Sequence, residues 1–210
     1  MEQFISPLIT LVSILIAAFV AYQTWLSPFH PTVEMRPLIW RLGPGNPPSC
    51  PLTVVIYSTF FNTGSISGVV SDLLLEIELP KGKWVMEPLF FVKAGEFYQD
   101  ILKPEAKVPF PPEHVEGPFT PIFLPGRTQV TKAILFCREL GKSDFNIDLV
   151  EPGQHPLRIF ARYNLAAELT KVVDAKIVLE PDVIKGWRTG VTQVGEVRHR
   201  DTQIKALPRK

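Results

Sequence analysis

An uncharged apolar run near the amino terminus constrains this chain more than any other feature. Residues 3–33 contain no Asp, Glu, Lys or Arg, and residues 4–26 read FISPLITLVSILIAAFVAYQTWL. A helix of that length extends about 34 Å, which exceeds the roughly 30 Å hydrocarbon layer of a bilayer. The run therefore predicts a membrane-spanning helix, with anchoring side chains at Phe4, Leu8, Leu11, Leu15, Phe19, Tyr22 and Trp25.

The flanks of the run favour an anchor that stays on the chain. Tyr22 and Trp25 lie near its end, where amphipathic rings prefer the headgroup region. A cleaved signal peptide would need a basic start and a small-x-small site, but the chain begins Met-Glu-Gln and Phe19 interrupts the site before Ala21. A cleaved signal and a buried core helix are the alternatives.

The distribution of charge favours a cytoplasmic side for the domain that follows. Arg36 and Arg41 come after the run and no Lys or Arg precedes it. The positive-inside rule therefore predicts that the side carrying the two arginines faces the cytoplasm. An exported domain is the alternative to the cytoplasmic side. Residues 185–210 carry seven basic and two acidic residues, a net charge of +5. This tail predicts contacts with lipid headgroups, with an acidic partner or a disordered solvated tail as the alternatives. The residues predicted to make these contacts are Arg198, Arg200, Lys205, Arg209 and Lys210.

Beyond the prolines that follow the run, the spacing of apolar residues changes from a helical period of about 3.6 residues to the two-residue period of a strand. Every second residue from Leu73 to Leu79 is Leu or Ile, which predicts a strand with one buried face. The segment LTVVIYSTFF at 52–61 has β-branched and aromatic residues at both odd and even positions, which predicts a central strand buried on both faces. The NTGSISG segment between them predicts a hairpin turn whose glycines supply positive φ angles.

Proline makes up 21 of 210 residues, about twice the usual share, and favours strands and loops over helices. Seven prolines between 104 and 125 predict a long crossing loop. About eight strands without intervening helices predict an all-β antiparallel sandwich over residues 32–190, after an anchor and linker at 1–31 and before a basic tail at 191–210. The remaining strands are predicted at Val33–Leu38, Trp84–Val92, Thr128–Arg138, Phe145–Val150, Leu157–Asn164 and Val172–Glu180.

The run VVIYSTFFNTGSISGVVSDLLLEIELPKG at 54–82 resembles bacterial immunoglobulin-like modules of the adhesion and accessory type. The resemblance lies in a strand, an Asn-Thr-Gly turn, a second strand and a Pro-x-Gly exit. It implies an immunoglobulin-like β-sandwich in a membrane-tethered protein, without a catalytic set. The buried tryptophan and paired cysteines of antibody domains are not matched, because Trp84 does not fit the Cys50 and Cys137 arrangement.

Motifs for catalysis and metal binding are incomplete. GSISG at 64–68 has Ile66 where a nucleophile elbow needs serine, and LGKS at 140–143 has Phe136 where a phosphate loop needs its first glycine. Glu113, His114 and Glu116 fit a solvated loop better than a metal site. Glu76 and Glu78 fall on the polar face of a strand rather than forming an acid and base pair. No catalytic residue, metal or cofactor is predicted.

The two cysteines and the basic tail decide neither the compartment nor the partner. Cys50 and Cys137 form either one disulfide or two separate thiols, so they do not decide the redox compartment. The basic tail has only Trp187 as a nearby aromatic, so no nucleic-acid partner is predicted, and no small-molecule substrate is identified.

The sequence favours a non-enzymatic, single-pass accessory or scaffolding subunit that binds membrane lipid and another membrane protein. Its predicted partner contacts are Trp84, Phe90 and Phe91, with core packing as the alternative for the two phenylalanines. A membrane-anchored ligand-binding or envelope-surface sensor is the second hypothesis, and it requires a cleft lined with aromatic side chains. An enzyme with a dispersed site is the third.

Overall fold

The computed structural model describes residues 2–42, 52–93, 115–137 and 150–188. Helix α1 (Glu2–Ala21) continues into a π-helical turn (Tyr22–Leu26), and a short helix, α2 (Pro181–Arg188), follows the last strand. The strands within these ranges are β1 (Pro31–Leu42), β2 (Leu52–Asn62), β3 (Gly68–Leu79), β4 (Gly82–Val92), β5 (Val115–Pro118), β6 (Ile122–Leu124), β7 (Gln129–Cys137), β8 (Gly153–Tyr163) and β9 (Thr170–Leu179).

From Ile9 onward, helix α1 and its π-helical turn carry their apolar side chains on the outside of the protein. None of the residues from Ile9 to Leu26 is buried, and the mean hydropathy of this stretch is 1.9. Among the described residues, this is the one helix long and apolar enough to cross a membrane.

Strand β4 joins two antiparallel sheets. Its residues 82–86 pair with β3, whereas residues 87–92 pair with β7 and, at their end, with β5. The pairing shifts between Pro88 and Phe90. Proline has no amide hydrogen to donate and is tolerated at such irregularities, where a strand bends from one sheet into the next.

The order of neighbouring strands is β1-β2-β7-β4-β3-β8-β9, with β6 beside β3. β1 also approaches β9, so the sheet curls back toward its own first strand. The prediction of an antiparallel β domain after one apolar helix is confirmed. Because β4 belongs to both sheets, the arrangement is nearer to a barrel than to a clear immunoglobulin-like sandwich.

Strands β2 and β3 bury their side chains as their sequence patterns predict. On β3, alternate residues from Leu73 to Leu79 enter the main core between the sheets. On β2, Ile56 lies in the main core, whereas Val55 and Tyr57 belong to a second apolar cluster. Since neighbouring side chains on a strand point to opposite faces, β2 is buried on both faces.

The loop predicted over 104–125 is wrong in its described part, which contains β5 and β6. Ile122 and Leu124 enter the main core, and the nearby prolines, Pro121 and Pro125, flank β6 instead of interrupting it. Helix α2 was not predicted from the sequence, although Pro181 stands at its first position, where proline is favoured. Of the predicted strand Phe145–Val150, only Val150 lies within the described residues.

Candidate functional site

The connection between α1 and the β domain is four residues long and begins in an extended conformation. We call residues Ser27–His30 the linker, and the end of the sheets beside it the proximal end. Ser27 has φ −61° and ψ 123°, so the helix stops there. Pro28 follows Ser27, and a proline disfavours helical geometry in the residue before it. The sequence Ser-Pro therefore ends the helix at the point where the domain begins.

Residues 62–68, between β2 and β3, hold the linker, and residues 124–128, between β6 and β7, are hydrogen-bonded to them. We call these two segments the clasp. The amides of Ser65 and Ile66 both donate to the carbonyl oxygen of Ser27, at 3.0 and 3.1 Å. The Ser65 hydroxyl donates to the same oxygen at 3.0 Å. At the other end of the linker, the Thr63 amide donates to the His30 carbonyl oxygen at 3.1 Å.

The side chain of Asn62 connects both segments of the clasp to the linker. It is 2% exposed, and its Nδ2 donates to the carbonyl oxygens of Ile66 at 2.9 Å and Pro125 at 3.0 Å. Its Oδ1 accepts from the amides of His30 at 3.3 Å and Gly64 at 3.1 Å. Only an amide side chain offers donors and an acceptor in this form. The sequence pattern identified Asn62 only as a turn residue.

Gly64 has a different role from the one its sequence predicts. Neither Gly64 nor Gly68 is among the described residues with positive φ, so the prediction that they supply left-handed turn angles is wrong. A Cβ atom on Gly64 would overlap the carbonyl oxygen of Pro28, and one on Gly68 would overlap the ring of Phe29. Both glycines are required because the linker backbone and ring pack directly against them.

The predicted hairpin between β2 and β3 is likewise not formed. β2 pairs with β1 and β7, whereas β3 pairs with β4, β6 and β8. The NTGSISG segment therefore crosses from one sheet to the other. This crossing places it over the proximal end of the core, where the linker binds.

Arg127 extends the clasp to the helix itself. It adopts a left-handed conformation at φ 55°, and its amide donates to the Gly64 carbonyl oxygen at 2.8 Å. Its guanidinium Nη2 donates to the carbonyl oxygen of Gln23, within the π-helical turn. A cation near the carboxyl end of a helix interacts favourably with the helix dipole and with carbonyl groups that lack helical partners. The clasp thus reaches the level of Tyr22 and Trp25.

Phe29 closes the proximal end of the main core. Its ring packs against the core and meets the ring of Tyr163 edge to face, with centroids 5.8 Å apart. The Tyr163 hydroxyl is buried without a hydrogen-bond partner among the described residues, and burial raises the pKa of Tyr163. Among the described residues at this end, the rings of Phe29 and Tyr163 therefore pack together instead of lining a cleft of the kind the sensor hypothesis requires.

The carboxylates considered for catalysis are engaged in ion pairs. Arg158 Nη1 lies 2.9 Å from Glu76 Oε1 and 2.7 Å from Glu78 Oε2, and Lys83 Nζ lies 3.2 Å from Glu76. The hydrogen bonds that the Arg158 guanidinium donates to these two carboxylates raise the pKa of Arg158. Among the described residues there is no group of three or more His, Cys, Asp or Glu that could hold a metal ion.

Most of the other residues in the incomplete metal and phosphate motifs lie outside the described ranges. Glu113, His114 and the LGKS segment are among them. Glu116 is described, and its Oε1 lies 2.7 Å from Lys132 Nζ. The five basic residues predicted to contact lipid headgroups (Arg198, Arg200, Lys205, Arg209 and Lys210), together with Cys50, also fall outside.

The three predicted partner contacts differ in their burial. Trp84 and Phe91 are 5% and 7% exposed and belong to the main core, whereas Phe90 is half-buried beside the second cluster. Burial supports the core-packing alternative for Phe91 and assigns Trp84 the same role. Phe90 keeps part of its ring accessible.

The predicted anchor residues lie along α1 and its π-helical turn, although the side chains of Phe4 and Leu8 are outside the description. The other five point outward and are exposed: Leu11, Leu15, Phe19, Tyr22 and Trp25. Ser13, Ala17 and Ala21 line a shallow concave strip on the same helix. Small residues at this spacing let helices approach closely in a membrane, but lipid chains fill such a strip equally well, so it assigns no partner.

Comparisons with protein-family models, curated proteins and solved structures find no match to this chain. The resemblance of residues 54–82 to immunoglobulin-like modules therefore stays a prediction.

Replacing Gly64 with alanine is expected to open the clasp. Because the added methyl group meets the Pro28 carbonyl oxygen, the loop must shift and release the Ser27 carbonyl oxygen. We expect faster hydrogen exchange at the amides of Ser65 and Ile66 and a loss of about 1–3 kcal/mol in the free energy of unfolding.

The matched control for this prediction is Gly117→Ala, where an added Cβ has no neighbour within 4 Å. Hydrogen exchange followed by mass spectrometry on the full chain in detergent measures both variants. Equal exchange at these two amides in both variants would contradict the role given to Gly64.

Tyr163 is expected to make the free energy of unfolding decrease as the pH rises through the alkaline range. Its pKa is raised by burial, so the folded chain keeps a proton that the unfolded chain releases at about pH 10. The stabilisation is complete below that pH and declines by up to about 1.4 kcal/mol per pH unit above it. Tyr163→Phe should remove this decline, as measured by denaturant unfolding between about pH 9 and 11. The same dependence of unfolding free energy on pH in the native chain and in Tyr163→Phe would contradict the role given to Tyr163.

Proposed function

We propose that this chain is a single-pass membrane protein, anchored by α1, whose β domain works as a non-enzymatic accessory or scaffolding subunit beside another membrane protein. The observation that carries the proposal is the clasp. Hydrogen bonds from residues 62–68 and 127 hold both the linker and the last turn of the helix. The domain is thus attached to its anchor with a defined orientation instead of hanging from a flexible tether.

A defined orientation favours binding to a partner in the same membrane. Both proteins are confined to one plane, and a fixed height and angle reduce the conformational freedom that is lost on association. A domain that acts on a soluble ligand gains nothing from being fixed against its anchor. The pairing of Glu76 and Glu78 with Arg158, described above, also supports a structural role for these carboxylates.

Strand β4 offers the surface that best suits such a partner. Val85 and Leu89 are 43% and 44% exposed, and the partly accessible Phe90 follows Leu89 at the bulge. These residues lie on the strand that the sequence predicted as the partner contact, although Trp84 and Phe91 face the core. Exposed apolar side chains on a rigid strand are typical of protein interfaces.

Two finer parts of the proposal rest on the sequence. Arg36, Arg41 and the basic tail favour a cytoplasmic position for the domain. The antiparallel sheets and the crossing between β2 and β3 are compatible with an immunoglobulin-like module, whereas the shared strand β4 departs from that pattern.

The proposal is tested by extracting the full-length tagged chain in mild detergent and measuring its size and composition. We expect elution with a membrane protein in fixed stoichiometry, loss of that protein in Leu89→Asp, and retention in Val178→Asp. Val178 is 45% exposed, so the two positions are matched in exposure. A monomeric native chain without any partner would contradict the proposed function, and equal retention by both variants would contradict the β4 surface.

A further inference from the structure

Three large apolar side chains are exposed at the proximal end of the domain. Ile66 is 46% exposed, Phe123 59% and Leu165 100%. We call these three residues the apolar rim. They belong to separate segments: Ile66 to the clasp, Phe123 to β6, and Leu165 to the turn between β8 and β9.

The start of β3 brings the rim together. Phe123 is the register partner of Val69 in the β3 and β6 pair. On the other side of β3, the Asn164 amide donates to the Val69 carbonyl oxygen, and the Val69 amide donates to Asn164 Oδ1, both at 2.8 Å. Leu165 follows Asn164 directly at the tip of the turn. Three segments distant in sequence thus expose apolar side chains around one point.

The rim lies next to the end of the helix. The amide of Ile66 donates to the Ser27 carbonyl oxygen at 3.1 Å, so this side chain begins beside the last helical turn. Arg127, four residues after Phe123, contacts the Gln23 carbonyl group, which places this part of the domain at the level of Tyr22 and Trp25. Aromatic rings at the end of a span occupy the interface between hydrocarbon and headgroups.

We propose that the apolar rim inserts into the interfacial layer of the same bilayer that α1 crosses. Ile66 of the rim is hydrogen-bonded to Ser27, directly after the exposed Trp25 and Leu26 of the helix, and burying apolar side chains removes them from water. The exposed charges on its segments, Arg127 and Glu168, have opposite signs, and the nearby Lys171 lies 2.6 Å from Asp174. Apolar burial therefore drives the contact, and it should form on uncharged lipid as well as on anionic lipid.

This inference rests on the proposed membrane anchoring, and its test includes a position that reports on the anchor alone. The full chain is labelled with a small environment-sensitive fluorophore at single introduced cysteines, Ile14→Cys, Leu165→Cys or Val178→Cys. It is then placed in nanodiscs of zwitterionic lipid without bromine, with bromine near the methyl end of the acyl chains to report on position 14, or with bromine near the headgroup end to report on position 165. Val178, on β9 at the far end of the sheet, is the exposed control. The native chain, labelled in parallel, gives the background from Cys50 and Cys137.

We expect brominated lipid to reduce the fluorescence at positions 14 and 165 and to leave position 178 unchanged. Aqueous iodide should quench position 178 and spare position 165. If brominated lipid quenches position 14 but not position 165, the rim inference is overturned while the anchor stands. Protection of position 165 from iodide would not rescue the inference, because protein can also shield the label. If position 14 is not quenched, both the anchor and the inference fail.

Discussion

The buried amide of Asn62 is the interaction on which the arrangement of this protein depends. It accepts from the linker and donates to both segments of the clasp, while itself being almost fully excluded from water. A buried amide left without partners destabilises a fold by about 1–3 kcal/mol, so the linker and the clasp must be present together. Gly64 and Gly68 make this possible by letting the linker lie directly on the loop.

The rest of the domain supports the clasp by fixing the segments that form it. Strand β2 is buried on both faces and ends at Asn62, so the start of the clasp lies on a rigid element. Strand β4 joins the two sheets, and Phe29 closes the core between them beside Tyr163. A disturbance at the linker therefore exposes core residues, which couples the position of the helix to the stability of the domain.

The sequence predicted the features that depend on local pattern. The uncharged apolar run predicted the helix. The alternation from Leu73 to Leu79 predicted a strand buried on one face, and the continuous apolar segment at 52–61 predicted a strand buried on both faces. The sequence could not predict which strands pair, so the NTGSISG segment was interpreted as a hairpin, although it crosses between sheets. The roles of Asn62, Gly64 and Arg127 depend on contacts with residues far away in the chain, and no local pattern contains those contacts.

The most direct test of the account is the distance between helix and domain in the full chain. Spin labels at Thr24→Cys and Glu168→Cys, both exposed positions, would be measured by double electron–electron resonance in nanodiscs, with Cys50 and Cys137 replaced by serine. A clasped linker predicts one narrow distance distribution that broadens in Gly64→Ala and not in Gly117→Ala. A broad distribution in the chain with native glycines would show a free tether and contradict the account.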